Sequence, residues 1–129
     1  MSAPNISVLI VEDDSIIAWH LKAMVTRLGY YVCATVATQD GAVAAAAEHR
    51  PAAILMDVRL AQGGDGVKAA ESVRAGQEIP IIFCTAHAKD PSFQARIAIF
   101  NAPVLDKPVQ EEVLADVLRK VVRRAVPQG

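Results

Sequence analysis

The sequence predicts an α/β fold, a five-stranded parallel sheet with helices on both of its faces. Short apolar runs alternate with helical patterns along the whole chain, five of each. The first run, ISVLIV (6–11), is apolar at nearly every position rather than at every second one, as a strand buried on both faces requires. Gly29, Pro51 and the pair Asp90-Pro91 stand where helices must stop or start.

A helix is expected from about Asp14 to Leu28, because Ile17, Leu21, Met24 and Leu28 recur at helical spacing and Gly29 supplies a stop. YVCATV (31–36) reads as the second strand, and the alanine-rich GAVAAAAEHR (41–50) as a helix ending at Pro51. AAILMDV (52–58) is the third strand and DGVKAAESVRA (65–75) the next helix. PIIFCT (80–85) follows as the fourth strand. Asp90 caps a helix with proline at its first position and an apolar face of Phe93, Ile97 and Phe100, expected to run from 91 to 101. A short fifth strand, PVL (103–105), precedes a last helix at about 110–125 carrying Val113, Leu114, Val117, Leu118 and Val121.

The 129 residues suit one domain, with a core of about 6–125 between short termini. Hydrophobic residues make up 53% and charged residues 21%, which argues against disorder. A net charge of −1 gives no general attraction to nucleic acid or to an anionic membrane surface. No apolar run approaches the roughly 20 residues that span a bilayer, and MSAPNIS lacks the features of a secretory signal. A cytoplasmic protein is expected. Cys33 and Cys84 are read as buried small hydrophobes rather than as a disulfide or metal ligands.

Sites in open α/β sheets form beyond the carboxyl ends of the strands. Glu12 and Asp13 follow the first run, Asp57 closes the third, Thr85 closes the fourth and Lys107 follows the fifth, whereas the second ends blandly in Ala-Thr. Unit charges about 4 Å apart repel by roughly 4 kcal/mol at an effective dielectric of 20, so the acids need positive neighbours. Carboxylates without a thiol or histidine suit a hard cation, Mg²⁺ above all. One Mg²⁺ and Lys107 would neutralise three carboxylates. Such a set also suits phosphoryl transfer, with Asp57 as the carboxylate nucleophile. Asp14 is assigned instead to the start of the first helix, where free amides and the dipole favour a carboxylate.

VLIVEDD, LMDV, PIIFCTA and VLDKP, in this order and spacing, resemble the receiver domain of two-component response regulators. The resemblance covers about residues 6–125. It implies a doubly wound, flavodoxin-like (βα)5 fold, with Asp57 as phosphoacceptor. It also implies Asp13 as direct Mg²⁺ ligand, Glu12 acting more through water, and the Arg59 backbone carbonyl completing the metal shell. Thr85 would move to bind the phosphoryl group, Lys107 would pair with it, and the Lys107-Pro108 bond would be cis. The implied protein is a single-domain response regulator in bacterial phosphorelay signalling. It takes a phosphoryl group from a sensor histidine kinase or histidine phosphotransfer protein, and is a phosphoprotein rather than an enzyme acting on other substrates. Output would be a contact with a downstream protein, without direct nucleic-acid or membrane binding, by a monomer or weak dimer.

Val104 departs from the family, which usually places Tyr or Phe three residues before the lysine. FCT with PVLDKP looks more like an atypical subgroup nicknamed FAT GUY, although Ala86 stands where that subgroup often has Gly. Arg59 is read either as a cation shielding the phosphoryl group or pairing with Glu12, or as a solvated loop residue. His87 is expected to be a loop histidine, and His20 and His49 surface residues. Trp19 is read first as partly buried against a neighbouring helix, second as a contact surface for a kinase. Arg119, Lys120, Arg123 and Arg124 complement the last helix's dipole, or meet a partner or an anionic surface. Two rivals stand beside this reading. An interaction module that has lost its switch is favoured by Val104; a Mg²⁺-dependent phosphohydrolase would need an acid where Arg59 stands. A P-loop nucleotidase is excluded by its missing motif.

Overall fold

A computed structural model describes residues 6–125, with side chains as far as Val122. Strand β1 (Ser7–Val11), β2 (Tyr31–Val36), β3 (Ala53–Asp57), β4 (Ile81–Thr85) and β5 (Val104–Asp106) alternate with helices α1 (Ser15–Arg27), α2 (Gln39–His49), α3 (Gly66–Gly76), α4 (Pro91–Ile97) and α5 (Glu111–Ala125). All strand pairs are parallel, in the order β2-β1-β3-β4-β5. The chain therefore reverses its winding between β1 and β3, which opens a crevice at their carboxyl ends.

Two apolar layers flank the sheet, and the two-residue strand period decides which side chain enters which. Leu9, Val11, Ile54, Met56, Ile81 and Phe83 pack with α2, α3 and α4. Val8, Ile10, Leu55, Ile82 and Leu105 pack with α1 and α5. Burial on both faces explains why β1, β3 and β4 lack polar alternation.

Helix starts follow the expected capping chemistry. The Asp14 carboxylate accepts from the amides of Ile16 and Ile17 at 2.9 and 3.1 Å, and Asp90 accepts from Ser92 N at 3.0 Å with Pro91 next in line. Gly29 ends α1 at φ +96°. Helix α2, however, begins two residues before Gly41, because Thr38 Oγ1 accepts from Gly41 N at 2.9 Å and caps it. The expected helix over 91–101 also divides: α4 stops at Ile97 and a 3₁₀ turn spans Ala98–Phe100, closed by Asn101 in the left-handed region.

Three surface expectations need correction or restriction. Trp19 is 67% exposed, with its ring 5.5 Å from that of His20 in an edge arrangement, so it is not buried against a neighbouring helix. Cys84 is buried, but Cys33 is half-buried because β2 is an edge strand; both thiols are free. Arg119 and Lys120 pair with Asp116 at 2.9 and 3.0 Å, while the side chains of Arg123 and Arg124 lie outside the described residues. His20 and His49 are exposed. Among the described residues no helix is long and apolar enough to cross a membrane.

Candidate functional site

Parallel register brings the polar strand ends together. Val11 pairs with Met56, so Glu12 and Asp57 emerge side by side. Asp57 pairs with Cys84 and Thr85 with Asp106, which sets Thr85 and Lys107 along the same edge. Glu12 N donates to Val36 O at 2.9 Å and Lys107 N to Thr85 O at 3.1 Å, extending the ladder past the strands. The Lys107-Pro108 peptide is cis.

Lys107 Nζ lies 2.7 Å from Glu12 Oε1 and 3.1 Å from Asp57 Oδ2. Glu12 is 3% exposed and Asp57 7% exposed, so this ammonium holds two carboxylates that water barely reaches. Their second oxygens accept backbone amides, Glu12 Oε2 from Asp14 N at 3.1 Å and Asp57 Oδ1 from Val58 N at 2.8 Å. Asp13 is exposed, yet it places a carboxylate oxygen within 4.8 Å of those of Glu12 and Asp57. Thr85 is 5% exposed and its Oγ1 accepts from His87 N at 3.0 Å.

The electrostatics follow from this imbalance. Burial pushes the Glu12 carboxyl up to about 7, against the lowering pull of Lys107 and the Asp14 amide. Burial alone would lower the Lys107 ammonium, but hydrogen bonds to Glu12 and Asp57 outweigh it and hold it above its ordinary value. Two buried carboxylates share one ammonium, and a surplus of negative charge remains. An oxygen-only donor set, a surplus of charge and one solvent-facing carboxylate together fit a hard divalent cation that keeps part of its water. Neither a thiol nor an imidazole joins the cluster.

Asp13, Asp57, Arg59, Thr85, His87, Asp90, Arg96 and Lys107 all border one cavity of about 580 Å³. Every expected site residue except Glu12 thus opens on it, and buried Glu12 is bonded to Lys107 of its lining. Among the described residues Glu12 pairs with Lys107 and not with Arg59, whose backbone bridges to Asp65. Sequence reasoning missed Arg96 and Asp65. Their ion pair, Arg96 Nη2 to Asp65 Oδ2 at 2.7 Å, joins α4 to the residue capping α3. The only local signal was Asp65-Gly66 at a helix start.

The family model described as "Response regulator receiver domain" matches residues 8–119. The chain belongs to this family. Receiver domains bind Mg²⁺ through acidic residues, and here the acidic cluster is Glu12, Asp13 and Asp57. The phyllosphere-induced regulator PhyR of Methylorubrum extorquens is 41% identical over 81 residues, 62% of this receiver and 30% of that protein. The transcriptional regulatory protein AfsQ1 of Streptomyces coelicolor is 34% identical over 118 residues, covering 92% of this chain and 52% of its own. The match therefore spans 30% to about half of these relatives' length. Among solved structures, the receiver domain of a Pseudomonas aeruginosa sensor histidine kinase, with magnesium coordinated in its active-site cleft, superposes with a TM-score of 0.82. It is 32% identical, with 93% of this chain and 99% of that one covered.

Proposed function

We propose that this receiver domain accepts a phosphoryl group on Asp57 from a phosphohistidine of a sensor histidine kinase or histidine phosphotransfer protein, in a Mg²⁺-dependent reaction. The observation that carries the reading is the convergence of Asp57 and Glu12 on Lys107, with the Asp13 carboxylate within reach of both.

Glu12, Asp13, Asp57 and the Arg59 carbonyl would hold the Mg²⁺, which supplies charge neutralisation for the phosphoryl oxygens. In the transfer an Asp57 oxygen forms a P–O bond as the donor's P–N bond breaks, and the imidazole leaves with the electron pair. Lys107 keeps Asp57 oriented, and its ammonium meets charge developing on the transferred group. Thr85, now holding the His87 amide, would turn its hydroxyl to a phosphoryl oxygen and draw the loop 86–90 inward. Output then passes to a downstream protein of the cytoplasm through the face that α4 presents.

Incubation with Mg²⁺ and acetyl phosphate should add one phosphoryl mass, absent in Asp57→Asn. No label from any donor, candidate kinases included, would favour the interaction module to which Val104 points. Sustained turnover of a free phosphoester would favour the phosphohydrolase instead.

A further inference from the structure

Helix α4 is seven residues long and buries only Phe93 and Ile97. Those two side chains, with Phe100 of the following turn, rest on the apolar layer around Phe83. The ion pair of Arg96 with Asp65 is its one salt bridge to another element among the described residues. So small an element, little buried, is the kind that shifts at low cost.

Asp65 is a node. Its Oδ1 accepts from Val67 N at 2.8 Å and Lys68 N at 3.3 Å, and its own amide donates to Gln39 Oε1 at 2.9 Å. Burial would raise its carboxyl, but Arg96 and the capping amides hold it below the ordinary value. The segment joining Asp57 to Asp65 is internally closed. Leu60 N bonds Gly64 O at 3.0 Å, Gly64 N bonds Ala61 O at 3.1 Å, and Gly66 N bonds Val58 O at 2.7 Å. Arg59 bridges to Asp65, and the buried Leu60 side chain anchors the loop in the core. Asp57 and Asp65 therefore sit at two ends of one braced unit, and Arg96 lines the same cavity as Asp57.

We propose that Arg96 is a positioning residue that exchanges partners on phosphorylation, leaving Asp65 for the phosphoryl oxygens on Asp57 and so releasing α4 from the β3–α3 loop. This rests on the phosphoacceptor reading above. A phosphoryl group offers about two negative charges and three acceptor oxygens, and a guanidinium fork binds such a group bidentately. Asp65, already engaged by two helix amides, is the weaker competitor. The exchange gives the site a route to α4 that does not use position 104, where valine lacks the ring and hydroxyl for a gate.

The test uses the full chain with and without Mg²⁺ and acetyl phosphate, in Arg96→Gln and in Asp65→Asn, which keeps a capping oxygen. Hydrogen exchange over 91–100 should slow on phosphorylation of the wild type, because Arg96 trades a partly exposed ion pair for a bidentate phosphoryl contact. Both unphosphorylated variants should exchange about 1.5- to fivefold faster over 91–100 than the wild type, the range expected of one exposed ion pair, and phosphorylation should slow exchange again in Asp65→Asn, which keeps Arg96, but not in Arg96→Gln. Phosphoryl lifetime separates the roles: Arg96→Gln should shorten it, whereas Asp65→Asn, which frees Arg96, should not. Equal effects of the two variants on lifetime, or a phosphorylation response in Arg96→Gln as large as in the wild type, overturns the exchange while leaving phosphoacceptance intact. Absence of label on the wild type overturns the reading on which the exchange rests. Unphosphorylated Arg96→Gln with wild-type exchange over 91–100 overturns the tether itself.

Discussion

Gly66→Ala tests how tightly the site is built into the fold. A methyl at position 66 would overlap the carbonyl oxygen of Asp57, and would stand 2.9 Å from its carbonyl carbon and 3.0 Å from Val58 Cα. Ordinary contact begins at 3.4 Å, so the two carbons alone must retreat by about half an ångström, and the oxygen by more. All three are backbone atoms, so no side chain can rotate aside. The bond from Gly66 N to Val58 O at 2.7 Å resists separation as well. Either α3, with Val67, Ala69, Ala70 and Val73 in the core, lifts off β3, or the Asp57 peptide turns and displaces the carboxylate. Overpacking of this kind costs about 1–3 kcal/mol, and backbone on every side places this case at the upper end, about 3 kcal/mol. Urea denaturation measures the loss, with Gly76→Ala as control. A methyl there meets nothing within 4 Å and should stabilise the helix by about 0.5–1 kcal/mol. The Gly66→Ala chain should also label poorly with acetyl phosphate. Stability within about 0.5 kcal/mol of wild type, together with unchanged labelling, would refute the reasoning.

Other expectations follow from the same geometry. Asp14→Ala removes the cap on Ile16 and Ile17 and should cost about 1 kcal/mol in denaturant unfolding without abolishing Mg²⁺ binding; Asp14→Asn, which keeps a capping oxygen, should cost less. Asp13→Asn should do the opposite, sparing stability while removing Mg²⁺ binding by calorimetric titration. Lys107→Met leaves two carboxylates unneutralised and should destabilise by about 3 kcal/mol above the Glu12 pKa, with a smaller loss below it, where Glu12 carries a proton. Glu12 also sets a pH dependence whose sign is unusual for a carboxylate. Its folded value of about 7 exceeds the ordinary 4.5, so the folded chain binds more protons between those limits. Without divalent metal, stability should fall as pH rises through this window, and Glu12→Gln should flatten the slope.

Sequence and structure agree where short-range rules govern. Fully apolar strands, Asp14 and Asp90 as caps and Pro91 at a first turn are local chemistry, and each element was legible from it. The strand-end residues were legible too, because parallel register forces them to one edge. Thr38 was passed over because Gly41, inside the first turn of α2, looked like a start rather than the residue that donates to the cap. Trp19 faces outward for a related reason: helical spacing identifies the buried stripe of α1 but does not tell how far the neighbouring elements reach around it. The Arg96–Asp65 pair spans 31 residues and depends on a loop whose Gln62 and Gly63 both take left-handed conformations. No periodicity carries that information. Arg59 could be placed by similarity, but that Glu12 pairs with Lys107 instead, 95 residues away, is a long-range contact that no local pattern reports.

The phosphorylated residue can be identified chemically. Borohydride reduces an acyl phosphate to an alcohol, which marks the acceptor carboxylate for peptide mapping. After incubation with Mg²⁺ and acetyl phosphate, the reduced side chain should be found at Asp57 alone. It should be missing when the metal is chelated and missing in Asp57→Asn. Reduction at Glu12 or Asp13, labelling at Asp57 that ignores Mg²⁺, or no reduced carboxylate at all would contradict the assignment of this cluster as a metal-assisted phosphoacceptor.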